Sequence, residues 1–229
     1  MKNLVIFGIS ETAERVYDFV VRYNLYNVIG FTVDAAYKRT DTFKDKPVWA
    51  LEELEYFIDK ENDYLFVAVF WNRLNRDRRN IYTKLKQQEY KFANIISPLA
   101  SVRSKLVGEN VWIMDYVVIQ ENAEIGDNVY IADFALVAHC SKIENHCFIA
   151  ARAMVCGSCK IGEQTFVGVN STIFDDTIVG ERCIIGACTV VKRNVCSFTV
   201  CKTPSDVIIC KQYSSEVIES KWLANHNVR

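Results

Sequence analysis

Residues 107–142 read VGENVW-IMDYVV-IQENAE-IGDNVY-IADFAL-VAHCSK, and every group of six opens on isoleucine or valine. The register continues without a gap through Ile143, Ile149, Val155, Ile161, Val167, Ile173, Val179, Ile185 and Val191. Four residues after each of these stands a small or β-branched residue, from Val111, Val117 and Ala123 to Cys183, Thr189 and Val195. A period of six held over so many units is the mark of a parallel β-helix. A 3.6-residue helix and a period-two strand both fail to reproduce it. Three hexads make one triangular coil, so Val107–Cys196 predicts about five coils. The large apolar residue fills the tube, and the small one lets the chain bend near a corner.

Ahead of this ladder the pattern changes to strands alternating with helices. Residues 2–8 are an apolar run ending in glycine, and Ser10 is placed to cap a helix carrying Ala13, Val16, Phe19 and Val20. Strands are expected at 26–34, 64–70 and 91–96, a short helix at 51–58 and a charged amphipathic helix at 75–88, with Pro98 closing the unit. This is the pattern of a small Rossmann-like α/β layer with a parallel sheet. The expected organisation is an α/β domain over 1–98, a β-helix over 99–196 and, over 197–229, a capping strand and short helix covering the last coil's open edge.

Composition narrows the class. The 229 residues carry 27 Lys and Arg against 28 Asp and Glu, a net charge of −1, with both signs mixed. No basic excess points to nucleic acid or an anionic membrane. Glu11 and Glu14 follow the first apolar run directly, so it reads as a strand and not a signal peptide. No apolar run approaches the roughly 18 residues of a membrane span. A soluble, cytoplasmic protein is expected. The nine cysteines begin only at Cys140, and their odd number argues against a disulfide framework. Cys156–Cys159 has the form C-x-x-C, but the ladder turns Cys159 inward while Cys156 falls one residue after the inward Val155, so no metal site is expected.

In a parallel α/β sheet, ligands sit beyond the C-terminal strand ends, where a helix N-terminus favours phosphate. The loop with Gly8, Ser10, Glu11 and Thr12 occupies that place, and an ordinary strand–helix turn is the equal alternative. Asp34, closing the second strand, could accept from a ribose or sugar hydroxyl; a solvated turn carboxylate is at least as good a reading. Of the three histidines, His139 lies two residues past the inward Val137 and projects outward, whereas His146 falls nearer a corner. An imidazole, with an unperturbed pKa near ~6.5, suits a general base. Residues 18 apart stack on adjacent coils ~4.8 Å apart, so Glu121, His139, Gly157 and Asp175 form one column. Gly157 offers bare backbone beside His139, and its N–H could stabilise an acyl oxyanion; a glycine needed only for its turn is the other possibility.

The unbroken hexads, the V-A-H-C-S-K-I segment around His139, the Cys156-Gly-Ser-Cys-Lys-Ile-Gly162 segment and the α/β unit in front resemble the hexapeptide-repeat acyltransferases. Within them the likeness is to the sialic acid O-acetyltransferases and the nucleotide-amino-sugar N-acetyltransferases. That resemblance implies a left-handed β-helix and a homotrimer. It implies acetyl-CoA as co-substrate in the cleft between adjacent tubes, and a nucleotide-linked amino sugar mainly on the N-terminal domain. It gives His139 the role of base and Gly157 that of the amide meeting the acetyl carbonyl. Gly168, Val169 and Gly186, with Gly157, would line the pantetheine arm. Two departures stand out: Cys140 replaces the acidic neighbour that orients the histidine, and Glu144 replaces a glycine. Glu121 or Glu144, or water or a backbone carbonyl, would then have to orient His139. The expected activity is N-acetylation of a nucleotide-linked amino-deoxy sugar in bacterial surface-glycan synthesis. Sugar O-acetylation is the nearest alternative, and a non-catalytic trimeric binding protein a more distant one.

Overall fold

The first apolar run forms β1 (Asn3–Phe7), whose Leu4, Val5 and Ile6 are fully buried because strands flank both its edges. The computed structural model describes residues 1–203. In α1 (Glu11–Arg22), Ala13, Val16, Phe19 and Val20 recur at helical spacing and are the residues it buries. β2 (Asn27–Val33) follows, then β3 (Thr42–Phe43), β4 (Lys46–Ala50), β5 (Tyr64–Val67) and α2 (Arg76–Gln87). The sheet order is β3-β4-β2-β1-β5, parallel throughout except for the β3–β4 pair.

Three local expectations change. The sheet is mixed, because β3 and β4 form a hairpin that periodicity did not reveal. Its two turn residues, Lys44 and Asp45, both have positive φ (52° and 59°), the geometry that matches a tight two-residue hairpin to the twist of its strands. The segment expected as a helix at 51–58 is a 3-10 turn over Leu51–Tyr56. The strand expected at 91–96 divides: Phe92 makes a single bridge to Leu65, while Ile95–Ile96 pairs with Trp112–Ile113 of the β-helix.

The ladder folds as a left-handed parallel β-helix with three faces. The first face runs from Ile95–Ile96 to Val200–Cys201, the second from Ser101–Val102 to Val190–Val191, and the third from Leu106–Val107 to Ile178–Val179. Each hexad's large residue points inward, and from Ile113 to Ile185 all are 0–3% exposed. Each such burial contributes about 1.5–3 kcal/mol. The small residue four places on does more than fill space. Ser141 Oγ donates to Cys156 O (2.7 Å) and accepts from Cys159 N (3.0 Å); Thr165 Oγ1 donates to Gly180 O (2.9 Å) and accepts from Cys183 N (3.0 Å). Cys159 Sγ, turned inward as expected, reaches Phe174 O at 2.9 Å. These bonds satisfy corner backbone groups that a purely apolar core would leave unpaired.

Corners recur with the same period. From Asn110 to Cys188 every sixth residue has φ between 52° and 61°, and none of them is glycine. Such a conformation costs an L-residue roughly 1–2 kcal/mol, least for the asparagines at 110, 122, 128 and 170. Cys140 and His146 are both corner residues of this kind.

The ladder also extends past the stretch in which the hexads are regular. Ile95–Ile96 and Ser101–Val102 pair at a spacing of 17, because one residue is missing before Leu106–Val107. At the other end Val195 pairs with Val179, and Val200–Cys201 with Ile184–Ile185, at a spacing of 16. Val195 therefore takes a rung position and not the small corner position its spacing suggests. Within the expected capping strand, Val200–Cys201 is one more rung; from residue 204 on, the expected cap and helix lie outside the described residues.

The N-terminal domain docks on the first face. Trp112, Tyr130, Phe148 and Phe166, each just before an inward residue and 18 apart, form an outward aromatic column, edge-on between Trp112 and Tyr130 and stacked from Tyr130 to Phe166. Trp71 stacks on Phe166 (4.5 Å between centroids), and Phe19 and Phe66 meet Trp112 edge-on.

Beside this column the corner residues form a polar relay. Val67 N–H donates to Asn110 Oδ1 (2.9 Å), Asn110 Nδ2 to Asn128 Oδ1 (2.7 Å), and Asn128 Nδ2 meets His146 Nδ1 (2.9 Å). The backbone donor at Val67 orients both amides, so Nδ1 of His146 can only accept and the ring is neutral. His146 is therefore a fixture of the domain junction, 6% exposed, and not a candidate base. Burial, with the Arg79 and Arg78 charges, pushes its pKa down to about 4. In the unfolded chain it gains a proton near pH ~6.5. Its stabilising contribution is thus complete above that pH and is lost as pH falls towards 4, by about 3 kcal/mol in all. His146→Asn, which tolerates the positive φ, should flatten the denaturation midpoint across that range. An unchanged acid slope would refute the assignment.

Candidate active site

His139 stands at the corner between the second and third faces, exposed, immediately before the corner residue Cys140. Its hydrogen-bond partner is Gln120, on the preceding coil and one residue off the column. Gln120 Oε1 accepts the His139 main-chain N–H at 3.0 Å and lies 3.3 Å from Nδ1. Neither carboxylate named above holds the ring. Glu121 pairs with Arg103 (3.2 Å), and Glu144 with Lys160 (2.9 Å) while also accepting from Glu163 N (3.2 Å).

On the following coil, Gly157 lies directly beneath the imidazole. A Cβ there would sit 2.7 Å from Cε1 and 2.8 Å from Nε2 of His139, and 3.2 Å from Asp175 Oδ1. The ring thus occupies the space that glycine leaves. The Gly157 N–H is not free, however: it donates to Asp175 Oδ1 at 2.7 Å. An oxyanion-donor role for this amide would require that carboxylate to turn away. The hexad phase gives no sign of Gln120 at this corner, and it places Asp175 in the column without a role.

Gly168, Val169 and Gly186 belong elsewhere. They follow first-face strands and lead to the corner between the first and second faces, with the whole second face between them and His139. A Cβ on Gly168 would meet backbone of the next coil (Ile185 O at 2.6 Å, Ala187 N at 2.7 Å), so coil-to-coil contact accounts for this glycine. Gly186 is less crowded, with Cys201 O 3.2 Å from where its Cβ would lie. Val169 is 43% exposed. One chain does not bring this group to His139.

The N-terminal candidates do converge. Gly8, Ser10, Glu11, Thr12 and Asp34 line one open cleft of 870 Å³ at the C-terminal ends of β1, β2 and β5. Gly8 has φ 125°, and a Cβ there would approach Ala68 O to 3.1 Å, so both conformation and space call for glycine. Ser10 takes the N-cap position of α1 through its backbone, without a side-chain cap bond. The Asp34 carboxylate is paired with Lys84 (2.7 Å) and not free in solvent. Tyr37, Arg39, Asn72 and Arg73 also line the cleft and were not anticipated. Among the described residues no group of three or more His, Cys, Asp or Glu could hold a metal ion, and no helix is long and apolar enough to cross a membrane.

Comparisons with known proteins agree with this fold. Residues 105–139 match the family of bacterial transferase hexapeptides (six repeats). A perosamine N-acetyltransferase from Caulobacter crescentus, solved with CoA and GDP-perosamine, is 25% identical over 87% of this chain and 93% of its own, with a TM-score of 0.76. The acetyltransferase domain of PglB from Neisseria gonorrhoeae (23% identity, 91% and 100% covered, TM-score 0.75) shares the fold. So does WeeI from Acinetobacter baumannii (18%, 91% and 100%, 0.73). No curated protein matches by sequence. A left-handed β-helix behind a small α/β domain, with hexads matched over residues 105–139, makes the chain similar to the hexapeptide-repeat acyltransferases, and acyl transfer is the enzyme class these likenesses support.

Proposed function

We propose that this chain transfers an acetyl group from acetyl-CoA to the amine of a nucleotide-linked amino-deoxy sugar, a step in bacterial surface-glycan assembly, and that it works as a homotrimer. The observation that carries the reading is the pairing of His139 with Gly157. An imidazole whose Nδ1–H is engaged by Gln120 presents the Nε2 lone pair over a bare glycine. The likeness to an enzyme solved with CoA and a nucleotide amino sugar supports the substrate class.

In this mechanism the neutral amine attacks the thioester carbonyl, forming the N–C bond. Its proton passes to His139 Nε2. The Gly157 N–H, released by Asp175, stabilises the oxyanion. Collapse breaks the C–S bond, and the proton moves from Nε2 to the departing CoA thiolate. No acyl-enzyme is needed, because the thioester is already activated. Cys140 is a corner residue in this scheme and not a nucleophile.

What one chain lacks supports the trimer: Gly168, Val169 and Gly186 lie a face away from His139, and a neighbouring tube would bring them to the acyl donor. The second face between the two corners exposes Met154 (43%) and Val190 (54%), and the corner bordering it carries a stacked Tyr116–Phe134 pair, each 53% exposed. Such apolar and aromatic surface is the composition of a subunit contact. The nucleotide occupies the N-terminal cleft around Gly8, Ser10, Glu11, Thr12 and Asp34.

Acetyl transfer to a nucleotide-linked amino sugar and to its hydroxyl counterpart, measured side by side, tests the proposal. Turnover of the amine should exceed that of the hydroxyl by at least about a hundredfold, the discrimination available when one polar group is misplaced. Preferential hydroxyl turnover would establish O-acetylation instead. Absence of CoA binding by calorimetry would point to a binding protein.

A further inference from the structure

Gln120 is tied to His139 twice, and the geometry settles the chemistry of that contact. The main-chain N–H of His139 can only donate, so the end of the Gln120 amide facing it at 3.0 Å is the oxygen. The same oxygen lies 3.3 Å from Nδ1 and has no proton to give. Nδ1 therefore carries the hydrogen, and Nε2, on the side facing Gly157, keeps its lone pair. The ionisable groups around the ring are otherwise committed or out of line. Glu121, on the preceding coil, is held by Arg103, and Asp175, beyond Gly157, is held by the Gly157 amide. Cys140 is exposed at the corner, and Cys156, a half-buried residue, precedes Gly157.

We infer that Gln120 is the positioning residue of the transfer reaction, fixing the tautomer and direction of His139 with a neutral amide in place of a carboxylate. This rests on the reading of His139 as the base. A neutral partner orients the ring but gives the imidazolium formed during transfer no ion pair. That suits an amine, which is already a good nucleophile, better than a hydroxyl, which depends on a stronger base.

Two variants of the full-length protein test this, with acetyl-CoA and a nucleotide-linked amino sugar as substrates and imidazole proton NMR of the free protein as a second readout. Gln120→Ala removes the acceptor and should lower kcat roughly tenfold to a hundredfold, with KM for both substrates nearly unchanged. Gln120→Glu keeps the acceptor and adds charge. It should retain most of kcat, raise the His139 titration midpoint by about one pH unit, and move the acid limb of kcat/KM upward with it. If the titration of His139 is the same in Gln120→Glu as in the parent, the inference fails while the base assignment stands. If the titration moves but the rate profile does not, His139 is not the base, and the catalytic role given to Gln120 falls with it. Normal kcat in Gln120→Ala would also overturn it.

Discussion

Replacing His139 with alanine should lower kcat for acetyl transfer by roughly 10²- to 10⁴-fold, the usual contribution of a positioned general base. The loss should fall on kcat, with little change in affinity for CoA or for the nucleotide sugar. His139 is exposed, and its ring bonds Gln120 and lies over Gly157. Removing it vacates no core, so thermal stability should change by less than about 0.5 kcal/mol, as for ordinary surface substitutions. The tube interior beneath it is filled by Val137 and Val155, both 0% exposed. Turnover in the presence of excess substrate, alongside calorimetric titration with CoA, separates the possibilities. A variant that binds CoA and turns over within threefold of the parent would remove His139 from the mechanism. A variant that no longer binds CoA would make it a binding residue.

Much of the fold was legible because the hexads are a local rule repeated many times. An inward residue every six places, and a small one four later, each reports the same corner geometry. Legibility ended where the count changed: one residue missing before Leu106 and two before Val195 shift the phase, so the outermost rungs escaped notice. The aromatic column Trp112, Tyr130, Phe148 and Phe166 had a signal, since its members stand 18 apart just before inward residues. It reads as outward on an isolated tube, and only the N-terminal domain packed against it turns those side chains into core. At the candidate active site, the column through His139, Gly157 and Asp175 follows from phase alone, whereas Gln120 stands 19 residues from His139 and reaches it diagonally. Phase could not show either that the Gly157 amide is engaged by Asp175, because that depends on a side-chain rotamer. The glycines expected along the acyl donor carry a similar lesson. At Gly168 the neighbouring coil, and not a ligand, fills the missing Cβ position.

Gly157→Ala is the sharper test of the site because it changes no titratable group. The added methyl would lie 2.7–2.8 Å from two atoms of the His139 ring, closer than carbon and nitrogen can approach, so one of them must yield. The backbone of Gly157 is clamped: its carbonyl accepts from Asp176 N (3.0 Å), and Ser158 N donates to His139 O (2.9 Å). The imidazole, exposed and held mainly through Gln120, is the freer partner. It should swing outward, break the 3.3 Å contact to Gln120 and carry Nε2 away from the acceptor amine. Misplacement by about 1 Å costs on the order of 10² in rate. The variant should therefore lose at least that much kcat while remaining folded, with an overpacking cost of roughly 1–3 kcal/mol. Gly126→Ala supplies the control. Its methyl would press on backbone of the next coil, 2.8 Å from Asn145 N, on the third face and away from His139. It should destabilise the tube comparably and, assayed below its melting temperature, leave kcat within a fewfold of the parent. If both alanines depress turnover equally at matched stability, the glycine beneath His139 serves only the packing of the coils, and the space above it is not where the acyl group is transferred.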